Sequence, residues 1–416
     1  MKKLTWMISI LCALALLAGC TGGPDSSHES SGGDPFDPTE LPFYVEDTEN
    51  LTYAYGDREM LQPYWMGNVI YNEQLMIVEK DGVVEGHLLY EPERILSVRD
   101  WSLENEYTEG VDYVVSGSTI TLPEGSSIPV FRDEWSRGEN VPEEYPEGNA
   151  GTGYQMIGDD QTVMYTETGL IWRNYIHVSY VYDPEDVDRT KVKAFEDELY
   201  GLTQMIENKQ TVNMVVFGDS ISEGHSSSEL WSHAPYQPPY AKLVAEGLRE
   251  FGGVEVNFSN LLVGGKDSNW AADDLQIADL VALDPDFLIL AFGTNDTMND
   301  LAGNRYRANI EKIIDAVKMA NSECQILLIA PFPSNEKVKS AQCHELICQR
   351  LQEIAVETDY LDIGYVSMYE VCLEMLKVKN YYELAGNNAN HPNDFIHRFY
   401  AMNILSAIFD FEALGK

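Results

Sequence analysis

The chain predicts an α/β fold, a parallel sheet covered by helices on both faces, preceded by an all-β sandwich-like domain. Two observations carry this. After Thr211, near-continuous apolar runs alternate with stretches of helical period, the pattern of strands buried on both faces. Between Leu41 and about Asp183, short β-branched and aromatic runs are bounded by Gly, Asn or Asp, and no long helical period appears.

Taken in order, residues 1–19 open with Met1-Lys2-Lys3, run apolar from Leu4 to Ala18, and end in Leu17-Ala18-Gly19 before Cys20. This stretch is too short to span a bilayer and reads as a secretory signal. The segment ending at Cys20 resembles a bacterial lipobox, which implies cleavage before Cys20 and lipid on its thiol. The expectation is an extracytoplasmic protein anchored to the bacterial cell membrane. Residues 20–40, rich in Gly, Ser, Pro and Asp, predict a flexible tether, with His28 as solvent-facing filler. Residues 41–183 predict the β-domain; "VDYVVSGSTITL" (111–122) carries a hairpin signal at Ser116-Gly117, and His87 and His177 stand in strands without partners. In residues 184–210, Val192, Phe195, Leu199 and Leu202 recur at helical spacing and predict a connecting helix.

Residues 211–416 predict strands at 212–217, 254–260, 286–292, 325–330 and 360–365. A helix is expected over 305–320, where Tyr306, Ile310, Ile313, Ile314 and Val317 share a face. Ligands of such sheets bind at the carboxyl ends of the strands. After the first strand, "FGDSISEG" (217–224) presents Ser220 where strand turns to helix. After the second, "NLLVGGKDSNW" (260–270) offers Gly264-Gly265. After the third, "FGTNDT" (292–297) offers Asn295. A serine hydroxyl needs a base and donors for the developing oxyanion, and two backbone N–H groups with one side-chain amide form a three-donor oxyanion hole.

These loops resemble the SGNH, or GDSL-type, hydrolase superfamily across roughly 211–416. Gly218-Asp219-Ser220 matches its first block and implies Ser220 as nucleophile and oxyanion donor. Asn260 and Gly265 match the second, with Gly264 the alternative glycine. Gly293, Thr294, Asn295 and Asp296 match the third and imply Asn295 as a further donor. The final block, Asp-x-x-His-Pro, matches at His391-Pro392 but has Asn388 in place of Asp. The family's fold is a flavodoxin-like three-layer α/β/α sandwich, and no metal or organic cofactor is implied.

His397 is the rival base, because Asp394 precedes it at the family spacing. Asn393 or Asp394, however, reads as the N-cap of a last helix through Phe395, Phe399, Ile404, Leu405 and Ile408. A base belongs on the approach loop, as His391 is, and the third member of the site stays open between Asn388 and Asp394. His225, His233, Trp231 and Trp270 stand in the loops after the first two strands as candidate substrate contacts.

A net charge of −41, from 68 acidic against 27 basic residues, repels phosphate backbones and anionic lipid, so nucleic acid is not an expected partner. Beyond Cys12 and Cys20, Cys324, Cys343, Cys348 and Cys372 remain, and whether they pair is open; Cys343-His344 with Cys348 lacks zinc-site spacing. The expected activity is a serine ester hydrolase, a carbohydrate O-acetylesterase in the first place. Lipase, lysophospholipase or acyltransferase chemistry, and a catalytically dead carbohydrate-binding lipoprotein, are the alternatives.

Overall fold

A computed structural model describes residues 36–414, apart from 144, 146–153, 156–161, 300, 302, 339–340, 342, 359 and 361. The signal segment, Cys20, His28 and most of the tether therefore lie outside the described residues. Pro38–Lys416 forms one compact unit.

Its N-terminal part is built on β1 (Val69–Lys80), a strand of twelve residues of which ten are buried. With β2 (Val83–His87), β3 (Pro92–Asp100), β4 (Val114–Ser116), β5 (Thr119–Thr121), β6 (Val130–Arg132) and β9 (Tyr175–Tyr182) it makes a seven-stranded sheet ordered β3-β9-β1-β2-β5-β4, β6 lying beside β1. All pairs are antiparallel except β1 with β6. The expected sandwich of two facing sheets is thus one continuous sheet. The reason is the length of β1, whose residues Val69 to Met76 pair with β9 and whose last residues pair with β2 and β6. β4 and β5 close the predicted hairpin through Gly117-Ser118, with Gly117 at φ 58. A two-residue pair, β7 (Tyr154–Gln155) and β8 (Thr162–Val163), lies between β6 and β9.

The connecting segment differs from expectation. Pro184–Asp186 and Arg189–Lys191 are single 3-10 turns, and only Tyr200–Glu207 is an α-helix. Asp183 and Asp188 each accept a backbone N–H two residues on, and these local bonds compete with a continuous helix.

The C-terminal part holds the five predicted strands as β10 (Val212–Gly218), β11 (Val256–Leu262), β12 (Phe287–Ala291), β13 (Gln325–Ala330) and β14 (Ile363–Ser367). They are parallel throughout and ordered β11-β10-β12-β13-β14. The order reverses between β10 and β12, so the crevice at their carboxyl ends is where a ligand of this fold binds. The helix Asn304–Ala320 buries Tyr306, Ile310, Ile313, Ile314 and Val317, as its period requires.

The last helix, Asp394–Ile408, is buried at every residue. It packs on the helix Tyr240–Gly252 and on β1, so one hydrophobic core joins Ile176, Tyr180 and Trp65 with Val212, Met214, Phe399 and Leu405. Polar ties cross the same boundary. Arg398 Nη2 donates to the carbonyls of Tyr71 and Asn72, both at 2.8 Å, and the Phe395 N–H donates to Gln74 Oε1 at 2.9 Å. The N-terminal sheet is therefore held against the back of the helix that follows His391.

Candidate active site

Ser220 opens a four-residue helix at the end of β10, 5% exposed, and Asp219 caps that helix by accepting the Ile221 N–H at 3.0 Å. Glycine at 218 is required by contact: a Cβ there would lie 2.3 Å from Ser222 Oγ and 3.0 Å from the Ala291 carbonyl. The first N–H groups of a helix have no intrahelical acceptor, so the Ser220 N–H, at the start of this helix, is not used by the helix itself.

His391 sits in a loop folded around Asn387, whose Oδ1 accepts the N–H groups of Ala389, Asn390 and His391, each at 2.9 Å. Three donors on one oxygen fix the backbone that carries the imidazole. Its Nε2 lies 2.9 Å from Ser220 Oγ. The ring's other nitrogen, Nδ1, is hydrogen-bonded to Glu167 Oε1, in a contact where both side chains are nearly buried. Burial opposes ionisation of Glu167, but the adjacent His225 and His391 imidazoles outweigh it and hold the carboxyl well below the usual carboxylate range.

Neither expected third member stands at that position. Asn388 turns away with φ 60, donating from Nδ2 to the carbonyls of Ser136 at 2.9 Å and Met164 at 3.1 Å. Asp394 accepts the Ser228 N–H at 2.9 Å from inside the terminal helix, where burial pushes its pKa up to about 6. The ionised carboxylate comes instead from Glu167, just after β8 in the N-terminal part. Asn387, likewise absent from the expected set, also reaches Glu167 Oε1, at 3.5 Å. A sequence signal for Glu167 is hard to name, since one acid among 68 stands in no motif.

His397 is one turn inside the last helix. Its Nδ1 faces the Tyr240 N–H and its Nε2 the His225 carbonyl, both at 3.4 Å, and burial lowers its pKa to about 4. It is a neutral core imidazole turned away from Ser220.

On the oxyanion side the two glycines differ. Gly264 commits its N–H to Glu223 Oε2 at 3.0 Å, whereas Gly265, at φ 74, has open space around it. Asn295 reaches the crevice from the end of β12, but its Nδ2 donates to the Lys266 carbonyl at 2.9 Å and to Asp219 Oδ2 at 3.2 Å. It serves an oxyanion only by sharing or releasing the longer bond. Burial pushes Asp219 up to about 7 and Asp296 up to about 6. Asp296 accepts the Ser268 N–H and hydroxyl, joining the second loop to the third.

Around this centre, Trp231 is 46% exposed and meets the His225 ring edge-on at 5.9 Å. His233 stacks on Trp172 at 4.0 Å, and Trp270 packs against Phe217 and Phe292 as part of the wall. All four described cysteines are free. His344 bonds Ser334 Oγ at 2.8 Å through Nε2 and belongs to no metal cluster among the described residues.

A buried serine, an imidazole and a carboxylate in hydrogen-bonded sequence at the switch point of a parallel sheet define a serine hydrolase. Residues 216–399 match the model of the GDSL-like Lipase/Acylhydrolase family. Solved structures similar to the chain include a two-domain esterase active on acetylated mannans, at 20% identity and a TM-score of 0.40, over 52% of this chain and 53% of that one. The match thus spans about half of that two-domain esterase. Axe2, an acetylxylan esterase from Geobacillus stearothermophilus, is 19% identical with a TM-score of 0.40, over 48% of this chain and 95% of its own. No curated protein matches the chain.

Proposed function

We propose that this chain is an extracytoplasmic, lipid-anchored esterase that removes acetyl groups from carbohydrate. The observation that carries the chemistry is the sequence Ser220 Oγ, His391 Nε2 at 2.9 Å, and Glu167 on His391 Nδ1. Ser220 Oγ attacks the ester carbonyl while its proton passes to His391 Nε2, and Glu167 stabilises the imidazolium. The oxyanion is met by the N–H groups of Ser220 and Gly265, with Asn295 joining as its bond to Asp219 lengthens. The tetrahedral intermediate collapses, the alkoxide leaves with the proton from Nε2, and water hydrolyses the acyl-serine by the same steps.

One feature supports a sugar substrate. The exposed Trp231 lies one ring beyond His225, which is itself 4.9 Å from the His391 ring, and an aromatic face there suits the apolar side of a pyranose. The net charge of −41 is unfavourable at anionic lipid, against a lipase. The signal-like first nineteen residues and Cys20 support the location.

The test is acetate release from acetylated xylan, mannan and other glycans, beside nitrophenyl esters of increasing chain length. Wild type is expected to prefer acetyl, and Ser220→Ala to abolish turnover. Preference for long-chain esters, or failure to release acetate from any glycan, would remove the carbohydrate assignment.

A further inference from the structure

Glu167 faces two imidazoles. His225, in the turn after the Ser220 helix, brings Nδ1 to 3.5 Å from the same Oε1 that bonds His391, and the two rings lie 4.9 Å apart. Its Nε2 is 3.6 Å from Glu223 Oε2, the oxygen that accepts the Gly264 N–H at 3.0 Å. A chain of polar groups therefore runs from His391 through Glu167, His225 and Glu223 to Gly264, from the base to the loop that carries Gly265. The chain is not saturated: His225 Nδ1 and Glu167 Oε2 are both buried without a hydrogen-bond partner. Small movements of the ring would complete either end.

We infer that His225 is a positioning residue of this esterase, holding Glu167 against His391 on one side and, through Glu223, the Gly264–Gly265 loop on the other. The inference rests on the ester-hydrolase reading above and adds to it a group outside the Ser-His-carboxylate set. Five titratable groups face His225. They are Glu167 from the loop after β8, Glu223 at the end of the preceding helix, Asp219 after β10, His391, and His397 on the terminal helix. The Glu167 carboxylate beside it raises the His225 pKa against the opposing effect of burial, and Glu223 and Asp219 add to the rise. When cationic the ring has N–H donors for Glu167 and Glu223 together; when neutral it has one.

The experiment combines two variants with a measurement on the intact enzyme. His225→Ala is expected to lower kcat by roughly 10–100-fold with little change in KM, as a misplaced base does. His225→Gln keeps a donor for Glu167 without the charge and should recover most of that loss. Histidine ring NMR of the wild type should show a His225 resonance whose titration moves to lower pH in Glu167→Gln. A His225→Ala enzyme within threefold of wild-type kcat at unchanged melting temperature would overturn the inference, as would a His225 resonance titrating independently of Glu167. Should the variants not fold, the NMR titration decides. Wild type that hydrolyses no ester would instead refute the esterase reading, and the His225 titration would still judge His225.

Discussion

Glu167→Gln is the substitution on which the site stands most directly. It preserves shape and one acceptor but removes the charge beside His391 Nδ1. A unit charge about 4 Å from the imidazolium, at an effective dielectric near 20, stabilises it by about 4 kcal/mol. At 1.36 kcal/mol per decade, kcat should fall by roughly a thousandfold, with KM little altered because the carboxylate touches the base and not the ester. Initial rates on nitrophenyl acetate, read beside a thermal melt to confirm folding, measure this. There is also a stability signature. Glu167 is held below its unfolded value, so its contribution is present above about pH 4.3 and is lost as pH falls through the folded pKa. Wild type should therefore lose stability with acid more steeply than Glu167→Gln across the region below pH 4.3. A folded Glu167→Gln enzyme within threefold of wild-type kcat would refute the carboxylate's role, and a large loss in Asn388→Ala instead would hand the position back to the approach loop.

Two other outcomes follow from the same geometry. His391→Ala should abolish turnover, whereas His397→Ala should keep most of it at a lowered melting temperature, because His397 bonds only the Tyr240 N–H and the His225 carbonyl; kinetics and melts on the pair separate the roles. Lys379 and Glu73 form an ion pair with both side chains fully buried, and Glu73 also accepts from the Tyr180 hydroxyl at 2.5 Å. Lys379→Ala leaves that carboxylate uncompensated and should cost about 3–5 kcal/mol in urea unfolding; a cost below 1 kcal/mol would show that Glu73 finds another partner.

The C-terminal sheet was legible because buried parallel strands write their position as apolar runs, and the placement of Ser220, Gly265, Asn295 and His391 because each stands at a strand end or on the last loop in a local motif. Asn393 as helix cap and His397 inside the helix were legible for the same local reason. Glu167 was not. Its role depends on a contact across 224 residues, and its own neighbourhood holds only the link from β8 to the short helix Gly169–Trp172. The connecting helix failed in the opposite way: its apolar period is present, but Asp183 and Asp188 close their own turns and break it. The sandwich failed because alternation along strands shows which face is buried, and does not show that β1 is long enough to belong to both halves of one sheet.

The Asn at position 388 takes on a different meaning once Glu167 is in place. Where the family pattern has an acid, this chain has an amide in a left-handed turn that donates to Ser136 and Met164, both in the N-terminal part. An aspartate there would set one carboxylate oxygen against two carbonyl oxygens, with only the Asn335 amide, 3.5 Å from Asn388 Oδ1, as a donor to the other, so the packing of the β part disfavours the usual acid. Thr166, next to Glu167, donates its N–H to the Asn387 carbonyl at 3.4 Å, in the same loop. The departure at 388 and the acid at 167 are thus two sides of one contact. The amide docks the loop on the N-terminal part, and the docked part returns the carboxylate that the loop lacks. An N-terminal part removed at about residue 183 would take Glu167 with it, and restoring an acid at 388 in the remaining chain would then face no opposing carbonyls.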